Sequence, residues 1–256
     1  MTDHHKDTVV NLSTVYRGLP RDERPAAAVA DGHRRAESWW DFDSATPARN
    51  ELDGFLQAVS QSGLRLVAIN SHGGDRDAGE RGLACLPDRQ EEFRDSIESV
   101  CRVAGATDAR KFNVTFGQLD PSRWSEEEQL AVAEENYRWA ASRVAEFGGT
   151  ILIEALSREG NGGYPFHDGH DVQGFIRSRL ADVDNVGLLF DTFHLAGNGV
   201  DILQAFRALV PVIRHVQLAD WPGRGAPGTG GIDFTALETI IRSSGYQGDV
   251  ALEYLG

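Results

Sequence analysis

Eight short apolar runs recur along the chain, and segments with helical spacing of apolar residues separate them. The runs occupy residues 9–15, 35–40, 64–70, 111–116, 150–156, 187–193, 213–219 and 249–254. The helical segments occupy residues 22–31, 47–62, 88–105, 125–147, 168–180, 200–209 and 234–244. This alternation predicts α/β architecture. Because an open doubly wound sheet usually has fewer strands and a glycine-rich turn after the first, the pattern favours a single (β/α)8 TIM barrel.

The chain length agrees with this fold. The chain has 256 residues, and TIM barrels are commonly built from about 250. We therefore predict one catalytic barrel domain at 9–256, preceded by a disordered polar tail at 1–8. The sequence ends directly after the eighth run, so the final helix is expected to be short or absent.

The charge excludes several classes of partner. Asp and Glu number 39 against 25 Lys and Arg, which gives a net charge of −14. Such a chain repels phosphate backbones and anionic lipids, so neither nucleic acid nor a membrane is an expected partner. Two cysteines make no disulfide framework, and no apolar stretch approaches 20 residues. These features predict a cytoplasmic protein.

Four polar residues stand at the carboxyl ends of the last four runs: Glu154, Asp191, Gln217 and Glu253. Neighbouring parallel strands end at the same side of a sheet, so these side chains are expected to converge. Their oxygens suit one hard divalent cation, Mg²⁺ or Mn²⁺ in preference, although Co²⁺ or Zn²⁺ could also occupy the site. Two of the carboxylates could serve as acid and base.

Five sequence elements carry a resemblance to a known family. They are Glu154, Asp191-Thr-Phe-His194, His215-Val-Gln217 and Glu253-Tyr254, together with the loop at 79–89, and Asn11-Leu-Ser13 adds to them. In this order they resemble the hydroxypyruvate isomerase family of the xylose-isomerase-like TIM barrels. The similarity runs over most of residues 8–256.

The resemblance implies a metal-dependent isomerase that interconverts an α-hydroxy ketone and an aldehyde through an enediolate, as between hydroxypyruvate and tartronate semialdehyde. It implies that Glu154, Asp191, Gln217 and Glu253 bind the metal. Glu154 and Glu253 would also form the proton-transfer pair. A small hydroxy-carbonyl substrate and a homodimer or homotetramer are the partners that it implies.

Four further residues are candidates for substrate binding. His194 resembles the histidine that contacts a substrate oxygen in relatives, and Arg224 resembles their substrate-binding arginine. Arg224 would read a carboxylate through two parallel hydrogen bonds. His72 follows the third run and would reach the substrate. His215 would either contact the substrate or support the barrel interior.

Other interpretations stay open for the same residues. A carboxylate at a strand end can cap the next helix, which applies to Glu154, Asp191 and Glu253. Gln217 could bond only to a neighbouring loop. Trp39 and Trp40 at the end of the second run, with Phe42 just after it, would form either a wall over the substrate or rim packing.

Other reactions also stay open. A ketose 3-epimerase or a metal-dependent dehydratase would use the same glutamates on another carbon, and a non-catalytic binding barrel is a third reading. The acidic chain does not suit a nuclease. Asn113 stands where relatives often have a histidine, and residues 225–231 are rich in glycine and alanine where relatives carry polar residues. The reaction type is therefore better predicted than the substrate.

Overall fold

The computed structural model describes residues 8–256, in which eight parallel strands close into a barrel in chain order. The strands are β1 (Val9–Asn11), β2 (Arg35–Ser38), β3 (Arg65–Asn70), β4 (Lys111–Asn113), β5 (Thr150–Glu154), β6 (Val186–Asp191), β7 (Ile213–Leu218) and β8 (Asp249–Leu252). Strand β8 closes the ring by pairing with β1. The predicted (β/α)8 barrel is confirmed. The predicted tail, apart from Thr8, lies outside the described residues.

Nine α-helices accompany the strands over residues 8–256. They are α1 (Leu12–Val15), α2 (Arg24–Ala30), α3 (Arg49–Ser62), α4 (Gln90–Ala106), α5 (Glu126–Ala145), α6 (Gly169–Arg179), α7 (Thr192–Gly197), α8 (Ile202–Leu209) and α9 (Phe234–Ser243). As expected, no helix follows β8 in residues 253–256. None of the helices in the described part of the chain is both long and apolar enough to cross a membrane.

Two predicted strands are wrong at their carboxyl ends, because a helix begins inside each apolar run. The Asn11 side chain accepts hydrogen bonds from the backbone N–H groups of Ser13 and Thr14 and so starts α1. Asp191 does the same for Phe193 and His194 at the start of α7. A short polar side chain therefore ends the strand and caps the helix at one position.

The main core lies between the barrel and its helices. Phe116 is its centre on one side, where it makes edge-on contacts with Phe166 and Phe175 and a tilted contact with Tyr137. These rings pack α5 and α6 against the barrel. A separate small cluster of Val9, Val67 and Ala251, from β1, β3 and β8, fills part of the barrel interior. The polar strand ends lie beyond this apolar layer.

Candidate active site

A cavity of about 1050 Å³ opens at the carboxyl ends of the strands. The loops that follow β2, β3, β5, β6 and β7 line it, and so does the segment after β8. Glu154 and Glu253 reach its surface, whereas Asp191 and Gln217 are buried in the barrel rim between them. Asp191 and Gln217 are direct partners in the β6–β7 register. The structure thus places all four predicted residues at the carboxyl ends of four consecutive strands, with Glu253 directly after β8.

Two oxygens of this group are buried without a hydrogen-bond donor. Asp191 uses Oδ1 to cap α7, but its Oδ2 accepts no hydrogen bond from residues 8–256. The Oε1 atom of Gln217 is also buried and accepts none within the same part of the chain. Buried acceptors without a donor are costly and rare. The capping interpretation of Asp191 therefore holds for Oδ1. Oδ2 of the same carboxylate stays available for a ligand.

Glu154 is buried and lies close to other carboxylates. Asn113 Nδ2 donates to Glu154 Oε2 at 2.7 Å, so the asparagine at the end of β4 is a direct partner of the strand-end glutamate. Burial, followed by repulsion from Asp191, raises the pKa of Glu154 to about 8, while the bond from Asn113 opposes this. Glu154, Asp191 and His194 offer ligand atoms that all lie within 4.8 Å of one another. This group could hold a metal ion.

The hydrogen bonds of His194 define its role within that group. The backbone N–H of Ser157 donates to His194 Nδ1 at 3.1 Å, so this nitrogen is the acceptor and Nε2 carries the proton. Nε2 lies 3.8 Å from Glu154 Oε1 and 3.9 Å from Asp191 Oδ2. Burial lowers the pKa of His194 to about 4, which keeps the ring neutral. In this arrangement His194 presents an N–H donor toward the acidic cluster.

Glu253 is the most heavily bonded of the four. Its Oε1 accepts from Asn11 Nδ2 at 3.1 Å and from Trp39 Nε1 at 2.7 Å, and its Oε2 accepts from Arg224 Nη2 at 2.6 Å. Burial raises the pKa of Glu253 well above its ordinary value, although Arg224 opposes the shift. Arg224 Nη2 also lies 3.6 Å from Asp191 Oδ2. Part of the Arg224 guanidinium is therefore already used by the acidic cluster.

Sequence reasoning missed Glu37, which lies within β2 and is almost fully buried. Its Oε1 accepts from Asn11 Nδ2 at 2.9 Å and from Gln217 Nε2 at 2.7 Å. Its Oε2 accepts from His215 Nε2 at 2.6 Å. Its position could have been noticed in the sequence, because it is a carboxylate in the middle of a predicted barrel strand. Such a group is rarely buried without strong partners.

The two remaining predicted histidines differ in position. His215 is fully buried and bonded to Glu37, and it is not among the residues of 8–256 that line the cavity. This position favours the supporting interpretation. His72 does line the cavity, and its Nε2 lies 3.4 Å from Glu92 Oε1. Burial lowers the pKa of His72.

The aromatic residues after β2 have separate positions. The Trp39 ring faces the cavity and its Nε1 bonds to Glu253, whereas Trp40 donates to the carbonyl of Ser44 and packs on Phe42. Trp39 therefore forms part of the wall over the acidic cluster. Trp40 serves mainly as packing beneath the rim.

Comparison with known proteins places the chain in one family. The family model described as the xylose isomerase-like TIM barrel matches residues 26–256. The chain is 31% identical to hydroxypyruvate isomerase of Escherichia coli over 253 residues, which cover 95% of this chain and 91% of the relative. It is also 31% identical to 2-oxo-tetronate isomerase of Cupriavidus necator over 244 residues, with 95% and 90% covered.

A solved structure is also similar over nearly the whole length. The crystal structure described as AP endonuclease, family 2, from Brucella melitensis superposes with a TM-score of 0.84 at 28% identity and covers 97% of this chain and 93% of that one. The match to the family model and the two relatives together establish the family. This chain belongs to the xylose isomerase-like TIM barrel family.

Proposed function

We propose that the protein is a divalent-metal-dependent isomerase that interconverts a small α-hydroxy ketone and an aldehyde of the hydroxypyruvate and tartronate semialdehyde type. The observation that carries this proposal is the pair of buried glutamates, Glu154 and Glu253, at the ends of β5 and β8. The unsatisfied oxygens of Asp191 and Gln217 lie on the two strands between them. The names of the relatives from Escherichia coli and Cupriavidus necator support the reaction class.

The residues fit a divalent cation. Asp191 Oδ2 and Gln217 Oε1 are buried acceptors without donors, and repulsion among the carboxylates contributes to the raised pKa values of Glu154 and Glu253. A cation held by these four side chains would relieve both costs, and an all-oxygen set favours Mg²⁺ or Mn²⁺. When bound, the ion would act as a Lewis acid toward the carbonyl and hydroxyl oxygens of the substrate.

The two glutamates would move the proton between neighbouring carbons. One carboxylate removes the carbon-bound proton next to the carbonyl, which leaves an enediolate, and a proton returns to the adjacent carbon. The hydroxyl proton moves to the other oxygen in the same process. Burial and neighbouring negative charge make Glu154 and Glu253 more basic than exposed glutamates. Proton abstraction near neutral pH requires their ionised form, which a bound cation would favour.

Other side chains would orient the substrate. His194 presents a neutral Nε2–H toward the space beside Glu154 and Asp191, where it would donate to the substrate oxygen that gains negative charge. Trp39 and Arg224 hold the Glu253 carboxylate through both of its oxygens, so its direction is fixed before the substrate arrives. Preorganisation of this kind is what a proton shuttle requires.

Proton NMR in D₂O tests the proposal. The Mg²⁺-loaded protein is incubated with hydroxypyruvate and a small panel of ketoses, and the Glu154→Gln and Glu253→Gln variants are compared with it. We expect deuterium at the carbon next to the carbonyl together with a new aldehyde signal, and about a 10²–10⁴-fold slower exchange in each variant. Glu159→Gln is the matched control, because Glu159 lines the cavity from the loop after β5 and is not one of the strand-end residues.

Each other outcome contradicts the isomerase proposal in its own way. Deuterium exchange with inverted configuration and no aldehyde would indicate an epimerase. Loss of water from the substrate would indicate a dehydratase. Absence of exchange with any metal and any substrate of the panel would favour a binding barrel.

A further inference from the structure

Two arginines of the loop after β3 line the active-site cavity and have no carboxylate partner. The guanidinium carbon of Arg76 lies 4.0 Å from the centre of the Trp39 ring. Within residues 8–256 no carboxylate oxygen lies within 4.0 Å of a guanidinium nitrogen of Arg76 or Arg81. Arg89 and Arg224 line the same cavity but are paired with carboxylates. Arg76 and Arg81 therefore carry positive charge that the protein does not offset by direct contact.

Arg81 is held rigidly. Its Nε donates to Asn161 Oδ1 at 2.7 Å, and its Nη1 donates to the carbonyl oxygens of Glu80 at 2.8 Å and Arg76 at 3.2 Å. These bonds join the loop after β3 to the loop after β5. The second terminal nitrogen, Nη2, donates to no acceptor in the described part of the chain. Arg81 is thus held in place by Nε and Nη1, while its Nη2 can still donate hydrogen bonds to a ligand.

Two acids of the same loop, Asp75 and Glu80, have other partners. Asp75 Oδ1 accepts from the backbone N–H groups of Asp77 and Ala78, which stabilises a turn. Glu80 accepts from the backbone N–H of Asp75 through Oε2 and pairs with Arg89 through Oε1. Both carboxylates therefore have partners other than Arg76 and Arg81.

Trp39 connects this pair to the proposed reaction centre. One face of the indole carries the Arg76 guanidinium, while the ring nitrogen donates to Glu253 at 2.7 Å. A ligand that contacts Arg76 would thus lie one side chain away from a proposed proton-transfer glutamate. Stacking on an aromatic ring also restricts the guanidinium and leaves its edge free to bind an oxyanion.

We propose that Arg76 and Arg81 form a subsite that holds the terminal acidic group of an anionic substrate, a carboxylate or a phosphate. The inference rests on the proposed function, because it concerns the substrate of the same cavity. It predicts that this substrate is an acid and not a neutral ketose. A chain with a net charge of −14 repels such a substrate unless cations are placed where it binds. Arg224 is less suitable, since Glu253 and Asp191 already offset its charge.

Calorimetric titration of the Mg²⁺-loaded protein with unreactive probes tests the subsite. The probes are D-glycerate, which carries a carboxylate, glycerol 3-phosphate, which carries a phosphate, and glycerol, which is neutral. We expect Arg76→Gln to weaken at least one of the two anions about tenfold or more, because a charge-assisted contact is lost, and to leave glycerol unaffected. The anion that loses more affinity identifies the acidic group.

Two further variants sharpen the test. Arg123→Gln is the matched control, because Arg123 lies 3.9 Å over Trp124 in a similar stack but does not line the cavity. It should bind all three probes as the unchanged protein does. Arg81→Lys should weaken anion binding too, since one ammonium group cannot keep the loop bonds and also bind the anion. Unchanged affinity for both anions in Arg76→Gln and Arg81→Lys would overturn the subsite.

Failure of the subsite is distinguishable from failure of the proposed function. If neutral ketoses exchange deuterium with the same KM as hydroxypyruvate and Arg76→Gln binds both anions normally, the subsite is wrong and the isomerase proposal stands. If no compound exchanges deuterium but Arg76→Gln still loses anion affinity, the subsite stands and the isomerase proposal is wrong.

Discussion

Gln217 Nε2 donates to Glu37 Oε1 at 2.7 Å, and this bond fixes the direction of the Gln217 amide. Because the nitrogen is committed to Glu37, the amide oxygen is directed away from it and is buried without a donor from residues 8–256. Asn11 and His215 donate to the same Glu37 carboxylate and hold it in place. An amide whose oxygen is presented in this way is ready to bind a cation.

Replacing Glu37 with glutamine should therefore weaken metal binding. The new amide can donate to Gln217 as well as accept from it, so the Gln217 amide is free to turn its nitrogen toward the site. We expect Mn²⁺ affinity to fall about 10–100-fold, the usual effect of losing a partner of a metal ligand. Calorimetric titration with Mn²⁺ measures this directly.

The control for Glu37→Gln is Glu159→Gln, which removes an equal charge from the cavity wall but contacts no proposed ligand. It should bind Mn²⁺ nearly as tightly as the unchanged protein. Thermal melting of both variants without metal separates an effect on the site from a general loss of folding. Equal Mn²⁺ affinity in the two variants would show that Glu37 does not orient Gln217.

The raised pKa of Glu154 predicts how stability, and its dependence on metal, varies with pH. Its pKa in the folded, metal-free protein is about 8 against an ordinary value of 4.5. The folded state therefore holds this proton more tightly than the unfolded state. The contribution of Glu154 to stability is fully present below about 4.5 and is lost as pH rises toward 8.

A divalent cation competes with that proton, so the stabilisation by Mg²⁺ or Mn²⁺ should increase as pH rises through about 8. Melting curves with and without the metal at about pH 6 and about pH 8.5 measure the effect as the difference in Tm. Glu154→Gln should reduce this pH dependence, because its side chain does not titrate. A metal-induced change in Tm that is the same at both pH values would contradict the proposed ligand set.

His194 should remain neutral with its proton on Nε2 throughout the working pH range. Ser157 donates its backbone N–H to Nδ1, and burial lowers the pKa of His194 to about 4. Nitrogen NMR of the labelled ring should show the Nε2–H tautomer unchanged from about pH 5.5 to 8. Titration in this range would contradict the assignment.

Substitution of His194 separates donation from packing. His194→Gln can place an amide N–H near the position of Nε2, so it should retain more activity than His194→Leu. For His194→Leu we expect kcat/KM to fall about 10–150-fold, the effect of losing a hydrogen bond to a charged group. His170→Leu is the control, because His170 is exposed on α6 and does not line the cavity.

The barrel and the strand-end cluster could be predicted because both depend on local periodicity. Each apolar run with a polar end gives one strand and one side chain at the rim, and neighbouring parallel strands bring those side chains together. The helices α1 and α7 could not be predicted in this way. Each has no more than six residues and begins within an apolar run, so only the capping bonds of Asn11 and Asp191 reveal it.

Contacts across the barrel also could not be predicted from the sequence. Glu37 and Gln217 are 180 residues apart and lie on strands that are not neighbours. No spacing rule relates two such positions, because their contact depends on the diameter and stagger of the closed barrel. The partner of Arg224 is a similar case. The Arg224 guanidinium is expected from the sequence to be free to bind a substrate carboxylate. It donates to Glu253 instead, because the backbone of its loop places it beside that side chain.

Asp220 stabilises the loop that carries Arg224. Its buried carboxylate accepts from the backbone N–H groups of Trp221, Gly228, Gly230 and Ile232 at 2.7–3.0 Å. Burial alone would raise the pKa of Asp220, but these four donors outweigh it and lower the pKa. The same loop holds Arg224 at a φ of 56°, a backbone conformation that is unfavourable for a residue other than glycine.

Asp220→Asn should therefore destabilise the protein and loosen Arg224. The asparagine has one acceptor oxygen and an NH₂ group that faces backbone donors, so we expect a loss of about 1–3 kcal/mol in the free energy of unfolding. Urea unfolding measures that loss, and the KM for an anionic substrate should rise as well. Asp233→Asn is the control, because Asp233 caps α9 and asparagine caps a helix about equally well.

The pH dependence of unfolding gives Asp220 a second test. A carboxyl group whose pKa is lowered on folding contributes stability above its ordinary value of 3.8, and this contribution is lost as pH falls through the lower folded value. The stability difference between the unchanged protein and Asp220→Asn should then be constant near neutral pH and shrink in acid. If Asp220→Asn destabilises no more than Asp233→Asn, the four backbone bonds do not maintain the loop, and the unfavourable Arg224 backbone must be held by other contacts.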